Sequence, residues 1–107
     1  MSLAEDFASM NNKINDQDTA WRHFLKDFKS NILATAKQVQ LTPFQQRIYK
    51  YRLRDYLREN NLPVDLTWII IWLNQMETEL NFFKKASLII PDYQTIVKIR
   101  NMFDGSR

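Results

Sequence analysis

The scarcity of glycine restricts what this chain can fold into more than any other feature of its sequence. Its 107 residues include one glycine, Gly105, close to the C-terminus. Tight β-hairpin turns favour glycine because it adopts positive φ without steric cost. Loops that cradle phosphate groups need glycine for the same reason and for close approach to the ligand. The sequence therefore argues against a β-rich fold, and it excludes a P-loop and a dinucleotide-binding fingerprint.

Length and composition are typical of one small globular domain. Hydrophobic residues make up 45% of the chain and charged residues 25%, a balance that supports a single hydrophobic core. The first 15 residues are polar and show no clear periodicity. We therefore expect a flexible N-terminal tail over residues 1–15 and a helical domain over residues 16–107.

The chain is poor in the residues that carry catalysis. It contains no cysteine, which excludes disulfides, cysteine zinc sites and thiol chemistry. Its one histidine, His23, follows Trp21 by two residues and is predicted on the opposite, solvent-facing side of a helix. No metalloprotease or calcium-loop motif is present. We therefore expect a non-enzymatic protein with no cofactor, no metal and no small-molecule substrate.

Apolar residues are too scattered along the chain to predict a membrane segment. The longest uninterrupted apolar run, Trp68–Leu73, has six residues, whereas a helix that spans a bilayer needs about 20. The N-terminus also lacks a basic segment followed by an apolar one, which is the pattern of a secretory signal. These features predict a soluble, cytoplasmic protein that does not bind membranes.

Hydrophobic spacing and capping signals predict an all-α domain of about four helices. The first helix is expected over about Asp18–Val39, because either Asp16 or Asp18 can cap the backbone N–H groups of its first turn. Its apolar residues recur at helical spacing and form one stripe: Trp21, Phe24, Leu25, Phe28, Ile32, Ala36 and Val39.

A capping box marks the start of the second predicted helix. The segment Thr42–Gln45 supplies a threonine and a glutamine that can each bond a backbone N–H, with proline at the first helical position. The helix should continue to Asn60, where the sequence Asn-Asn-Leu-Pro stops it. Its predicted apolar stripe is Tyr49, Leu53, Tyr56 and Leu57.

Two further helices complete the predicted fold. The third should begin after Asp65 as its N-cap and end near Lys84–Lys85, cations that suit the negative end of a helix dipole. Pro91 then biases Ile90 toward an extended conformation. The fourth helix is predicted over about Asp92–Phe103. Because the third helix is apolar nearly all round, we place it at the centre of the domain.

The net charge of the chain is concentrated in one segment. Residues 41–60 contain five basic and two acidic residues, a surplus of three, whereas the rest of the chain contains ten of each. The surplus equals the formal net charge of +3. The second predicted helix therefore carries the whole net charge.

The basic residues of this helix are predicted to lie along one face. Four of them recur at steps of three and four, with a tyrosine beside them: Arg47, Lys50, Arg54, Arg58 and Tyr51. A row of cations suits the phosphates of nucleic acid, and tyrosine adds stacking if the ligand is single-stranded. The alternative is an ordinary solvated face that Asp55 and Glu59 partly neutralise.

The third predicted helix carries more apolar surface than one core face requires. Trp68 and Ile71 fall largely opposite its main stripe, and Trp72 lies at the boundary. These three residues are predicted to form a partner interface, either between two copies of the chain or with another protein. The alternative is a central helix buried on all sides.

Two functions follow from these surfaces. The first is a nucleic-acid-associated binding protein that contacts phosphates with weak sequence readout. The alternative is a protein–protein interaction module, such as an adaptor, inhibitor or assembly factor, whose partner is an acidic protein or a second copy of the chain. Composition alone also fits many small proteins of phages, plasmids and regulatory systems.

Overall fold

Short helices and one two-stranded sheet make up the part of the chain that the structure describes. The computed structural model describes residues 18–78, 82 and 84–105, so the predicted tail over residues 1–15 lies outside the described residues. The helices are α1 (Thr19–Lys26), α2 (Lys29–Thr35), α3 (Pro43–Ile48), α4 (Leu53–Glu59), α5 (Thr67–Leu73) and α6 (Tyr93–Gly105). The strands are β1 (Lys37–Gln40) and β2 (Ser87–Ile90), and a 3-10 turn (Val64–Leu66) precedes α5. The prediction of a mostly helical domain is confirmed, whereas the layout of four long helices is not.

The first predicted helix is present as two shorter ones. Asp18 is the N-cap of α1, as predicted, and its carboxylate accepts a hydrogen bond from the N–H of Ala20 at 2.9 Å. The helix is interrupted at Asp27 and Phe28, whose N–H groups donate to carbonyl groups three residues earlier. The predicted apolar stripe persists across this interruption, and its fully buried members are Trp21, Leu25 and Ile32.

A two-stranded antiparallel sheet replaces the end of the first predicted helix, so the all-α prediction is wrong at this point. β1 pairs with β2 in a register that places Lys37 opposite Ile90. Leu88 and Ile90 are buried, and the residues that alternate with them are half-buried. The extended conformation predicted for Ile90 before Pro91 is confirmed. Pairing with a strand far along the chain outweighs the helical spacing of the β1 segment.

The second predicted helix is also divided in two. Its capping box is confirmed, because Gln45 N–H donates to the Thr42 hydroxyl and Thr42 N–H donates to the Gln45 side chain, each at 3.0 Å. α3 ends at Ile48, and residues 49–52 connect it to α4. The guanidinium of Arg52 donates to the Ile48 carbonyl at 2.9 Å, which satisfies a carbonyl group at the end of α3. The predicted stripe still faces the core, with Tyr49, Leu53, Tyr56 and Leu57 buried.

The third predicted helix is much shorter than its sequence pattern suggests. α5 begins at Thr67 without a side-chain cap, so the prediction of Asp65 as its N-cap is wrong. It also ends well before the predicted Lys84–Lys85, because Asn74 caps it and Gln75 adopts a left-handed conformation with φ of 57°. Neither glycine nor proline marks this ending, so its signal in the sequence is weak.

The core lies between α6, α5 and the elements that pack on them. α6 packs on α1 and α2, and α5 packs on β2. α6 nearly coincides with the predicted fourth helix. α5 buries Ile69, Ile70 and Leu73, but other residues of this helix are only half-buried, so it is not enclosed on all sides as a central helix would be. None of the helices that the structure describes is long and apolar enough to cross a membrane.

Candidate functional site

The five residues predicted to bind nucleic acid are all exposed, in and around the connection between α3 and α4. Arg47 lies on α3, Lys50 and Tyr51 lie in the connection, and Arg54 and Arg58 lie on α4. We call these five residues the basic surface. Since α3 and α4 are separate helices, the residues do not form the straight line along one helix face that their spacing predicts. The structure thus confirms their exposure and corrects their arrangement.

Acidic neighbours engage part of this segment. The carboxylate of Asp55 lies 3.1 Å from the Arg58 guanidinium, with which it is hydrogen-bonded, and 3.7 Å from that of Arg52. These pairs are largely exposed and contribute little to stability. Glu59 instead accepts a hydrogen bond from the Tyr49 hydroxyl, and this bond together with burial raises the pKa of Tyr49. Asp55 therefore neutralises part of the positive charge of this segment, at Arg58, as the alternative interpretation of the sequence expected.

Tyr51 is the unusual residue of the basic surface. Its φ is 65°, in the left-handed region that residues other than glycine seldom adopt. It is 50% exposed, and the Lys50 ammonium lies 5.2 Å from the centroid of its ring, within the range of a cation–π contact. The connection between the two helices therefore presents an aromatic ring and a cation side by side at the surface.

Two other residues with positive φ have a local structural reason for it. Asn61 (φ 56°) and Gln75 (φ 57°) each follow the C-cap of a helix. After Asn61, the N–H of Leu62 bonds the Leu57 carbonyl at 2.8 Å, and the equivalent bond after Gln75 is 3.0 Å. These bonds define the Schellman ending of a helix, which requires a left-handed residue. Tyr51 lies one position further beyond its helix and outside this motif.

Exposed apolar side chains on α3 lie next to the basic surface, and the sequence pattern did not single them out. Phe44 is 62% exposed and Ile48 is 39% exposed, and their spacing of four residues places them on one helix face. None of the residues of α3 is buried. The sequence contained one signal for this exposure. Phe44 lies five residues before Tyr49, where the predicted apolar stripe starts, and five residues of helix rotate a side chain well away from that stripe. α3 therefore adds apolar surface to the basic one.

The three residues predicted to form a partner interface line one cleft. α5 contributes Trp68, Ile71 and Trp72, which are half-buried and pack against the core. The cleft has a volume of about 530 Å³, and we call it the tryptophan cleft. α1 contributes basic and polar side chains to its lining: Arg22, His23 and Lys26. Sequence reasoning missed the part that α1 plays, because only the tertiary fold brings α1 and α5 together.

The two tryptophans of the cleft are contacted by cations. The Arg22 guanidinium lies 5.5 Å from the centroid of the Trp68 ring, and the Lys29 ammonium lies 5.5 Å from that of the Trp72 ring. Trp68 Nε1 is buried and has no hydrogen-bond partner among the described residues. An unpaired buried donor costs about 1 to 3 kcal/mol, so this position is not optimised for stability alone.

The cleft also contains the single histidine of the chain. His23 is exposed, as predicted, and lines the cleft from α1. Within residues 18–78, 82 and 84–105, no group of three or more His, Asp or Glu side chains is placed to hold a metal ion. The cleft thus combines exposed basic side chains of α1 with apolar surface of α5.

Comparisons with known proteins found no match to this chain, whether with family models, with curated proteins or with solved structures.

Proposed function

We propose that this protein binds single-stranded nucleic acid through the basic surface and the exposed face of α3, without catalysing a reaction. The observation that carries the proposal is Tyr51, an aromatic residue half-exposed in a left-handed backbone conformation beside Lys50. Such backbone conformations cost free energy and concentrate at ligand-binding positions, where the surrounding structure holds them. A solvated turn with no ligand would be served better by glycine.

Charge supports a polyanionic ligand. Basic residues exceed acidic ones by three within residues 41–60, whereas the two are equal in number over the rest of the chain. The four cations of the basic surface are exposed, so phosphate groups can approach them from solvent. Three of the four are arginines, whose planar guanidinium groups match the geometry of phosphate oxygens. This concentration of charge favours association with nucleic acid at low salt.

The shape of the surface favours single strands over duplex DNA. Its cations are divided between two short helices and their connection, rather than placed along one helix that could follow a groove. Phe44 and Tyr51 offer exposed aromatic rings, and stacking of a base on such a ring contributes about 1 to 3 kcal/mol. Bases within a duplex already stack on one another, so they gain little from these rings. Phosphates and ring faces are common to all nucleotides, which predicts weak sequence preference.

Substitutions at Tyr51 separate stacking from backbone strain. Tyr51→Ala should weaken binding to a single-stranded oligonucleotide by about tenfold, because it removes the stacking surface. Tyr51→Phe should leave binding unchanged, since the ring remains. Tyr51→Gly should bind as weakly as Tyr51→Ala while its free energy of unfolding stays equal or rises, because glycine adopts positive φ without steric cost. Fluorescence anisotropy with a labelled oligothymidine and urea denaturation measure the two quantities.

Gln75→Gly is the matched control for this series. Gln75 has a similar left-handed φ of 57° but lies outside the basic surface. Glycine relieves the steric cost of this conformation, so the free energy of unfolding should change in the same direction as for Tyr51→Gly. Binding to the oligonucleotide should not change. The proposal is contradicted if Tyr51→Gly binds the oligonucleotide as tightly as the unmodified chain. It is equally contradicted if duplex DNA of the same length binds more tightly than the single strand.

A further inference from the structure

We propose that the tryptophan cleft docks an acidic segment of a partner protein, which inserts a large apolar side chain between α1 and α5. The proposal is independent of nucleic-acid binding, because none of the five residues of the basic surface lines the cleft. Trp68, Ile71 and Trp72 were predicted to contact a partner. The side chains that the fold places beside them indicate the chemical character of that partner.

The cleft is shaped to receive a side chain rather than a flat surface. Its volume of about 530 Å³ lies within the range of about 300 to 1,000 Å³ typical of pockets that enclose small ligands. Trp68 and Trp72 lie one turn apart and therefore on the same side of α5. Leu25 and Met76 add apolar lining. Tryptophans in a concave apolar setting are the side chains that most often anchor protein–protein contacts.

The charges around the cleft select an acidic partner. α1 contributes the cations Arg22 and Lys26, both exposed, whereas Glu77 is the acidic residue among the described residues that line the cleft. Carboxylates on either side of an inserted apolar side chain would meet these cations, and lysines or arginines would meet like charge. Charge complementarity therefore indicates an acidic segment with an apolar anchor.

Cation contacts with the indole rings argue against a nucleobase as the occupant. Arg22 lies 5.5 Å from the centroid of the Trp68 ring, and Lys29 lies 5.5 Å from that of Trp72. Each of these contacts covers one face of its indole, and both indoles are also half-buried and packed against the core, unlike the exposed ring of Tyr51. Stacking of a base requires a free face. The remaining indole surface and Ile71 present apolar contact area, which suits an aliphatic or aromatic side chain of a protein.

A second copy of the chain fits the cleft less well than an acidic partner. In a two-fold symmetric dimer, the same surface patch is buried on both subunits. The interface would then hold Arg22 and Lys26 of each copy with Glu77 as the acidic residue of each described lining, which leaves an excess of positive charge. Like charges across an interface are costly. Self-association through these residues is therefore disfavoured by the charges beside them.

Selection from a library of random peptides displayed on phage tests this inference with the full chain immobilised. Peptides of about 12 residues are long enough to present an anchor with charged flanks. We expect enrichment of peptides that combine one or two large apolar residues with several Asp or Glu. Affinity of an enriched synthetic peptide should fall about tenfold or more for the double variant Arg22→Glu and Lys26→Glu, and again for Trp72→Ala.

Controls make each outcome informative. The double variant Lys37→Glu and Lys98→Glu makes the same change in net charge at exposed residues that do not line the cleft, and it should bind the peptide like the unmodified chain. Circular dichroism checks that Trp72→Ala remains folded. If it does not, the peptide affinities of the charge variants test the inference. Four outcomes would overturn the inference: no enrichment, enrichment of basic or uncharged peptides, enrichment of peptides that reproduce residues 1–17 of this chain, or a dimer in light scattering that the cleft variants dissociate.

Discussion

Replacing Asn74 with alanine should lower the free energy of unfolding by about 3 kcal/mol. Asn74 is buried, and its side-chain amide donates to the carbonyl of Ile70 at 2.7 Å and to that of Ile89 at 2.9 Å. Its side-chain oxygen accepts from the N–H of Ile89 at 2.8 Å. One side chain thus joins the end of α5 to β2. Alanine leaves the N–H and the carbonyl of Ile89 without this partner, whereas the Ile70 carbonyl keeps its bond from the backbone N–H of residue 74. Each unpaired buried group costs about 1 to 3 kcal/mol.

Urea denaturation of Asn74→Ala beside Asn101→Ala measures this effect. Asn101 is exposed on α6, so its replacement by alanine should change stability by less than about 0.5 kcal/mol. Equal stability of the two variants would show that Asn74 does not join α5 to β2 in solution.

Trp21→Ala should have the largest effect of a single substitution, a loss of about 4 kcal/mol in the free energy of unfolding. Trp21 is fully buried on α1, and its ring centroid lies 5.5 Å from that of Phe103 on α6. The Arg100 guanidinium, itself buried, lies 5.0 Å from the Trp21 ring. Truncation removes the apolar surface that joins α1 to α6 and leaves a cavity beside a buried cation.

Trp72→Ala is the comparison for this variant, because it removes the same side chain from a half-buried position that borders the tryptophan cleft. Its cost should be clearly smaller, since part of the ring already contacts solvent. Thermal unfolding followed by circular dichroism gives both values. A larger loss for Trp72→Ala than for Trp21→Ala would contradict the placement of Trp21 in the core.

Features of the fold that depend on neighbouring residues were predictable from the sequence. The N-cap at Asp18 and the capping box at Thr42 and Gln45 form between residues two or three apart, so the pattern contains all their partners. The apolar stripes were also correct, because burial at helical spacing holds even where the helix is interrupted. Trp21 and Leu53 are examples, both fully buried.

Features that depend on distant residues were not predictable in the same way. β1 is a strand because β2 supplies its hydrogen-bonding partner. The spacing of apolar residues around Val39 does not predict this pairing. α5 ends at Leu73 because Asn74 bonds the backbone of Ile89, fifteen residues further along the chain. Side chains that bond the backbone compete with continuation of a helix, and the outcome depends on what the tertiary fold brings near.

The same distinction between local and distant residues applies to the two candidate sites. The exposure of Arg47 and Arg54 followed from the sequence, whereas their division between two helices did not. Trp68 and Trp72 were singled out by an excess of apolar surface on one helix. The cations of α1 that accompany them, such as Arg22, enter the cleft only through tertiary packing. Sequence periodicity thus identifies side chains that the core does not require, whereas only the tertiary fold shows which residues lie beside them.

The salt dependence of binding to a single-stranded oligonucleotide tests the proposed function most directly. If the four cations of the basic surface contact about four phosphates, the logarithm of the association constant should fall with the logarithm of salt concentration with a slope of about −3. Arg54→Ala should make the slope shallower by about 0.7 and weaken binding to all sequences equally, whereas Lys98→Ala should change neither. A slope near zero, or no binding by the folded protein at about 50 µM and low salt, would contradict the account.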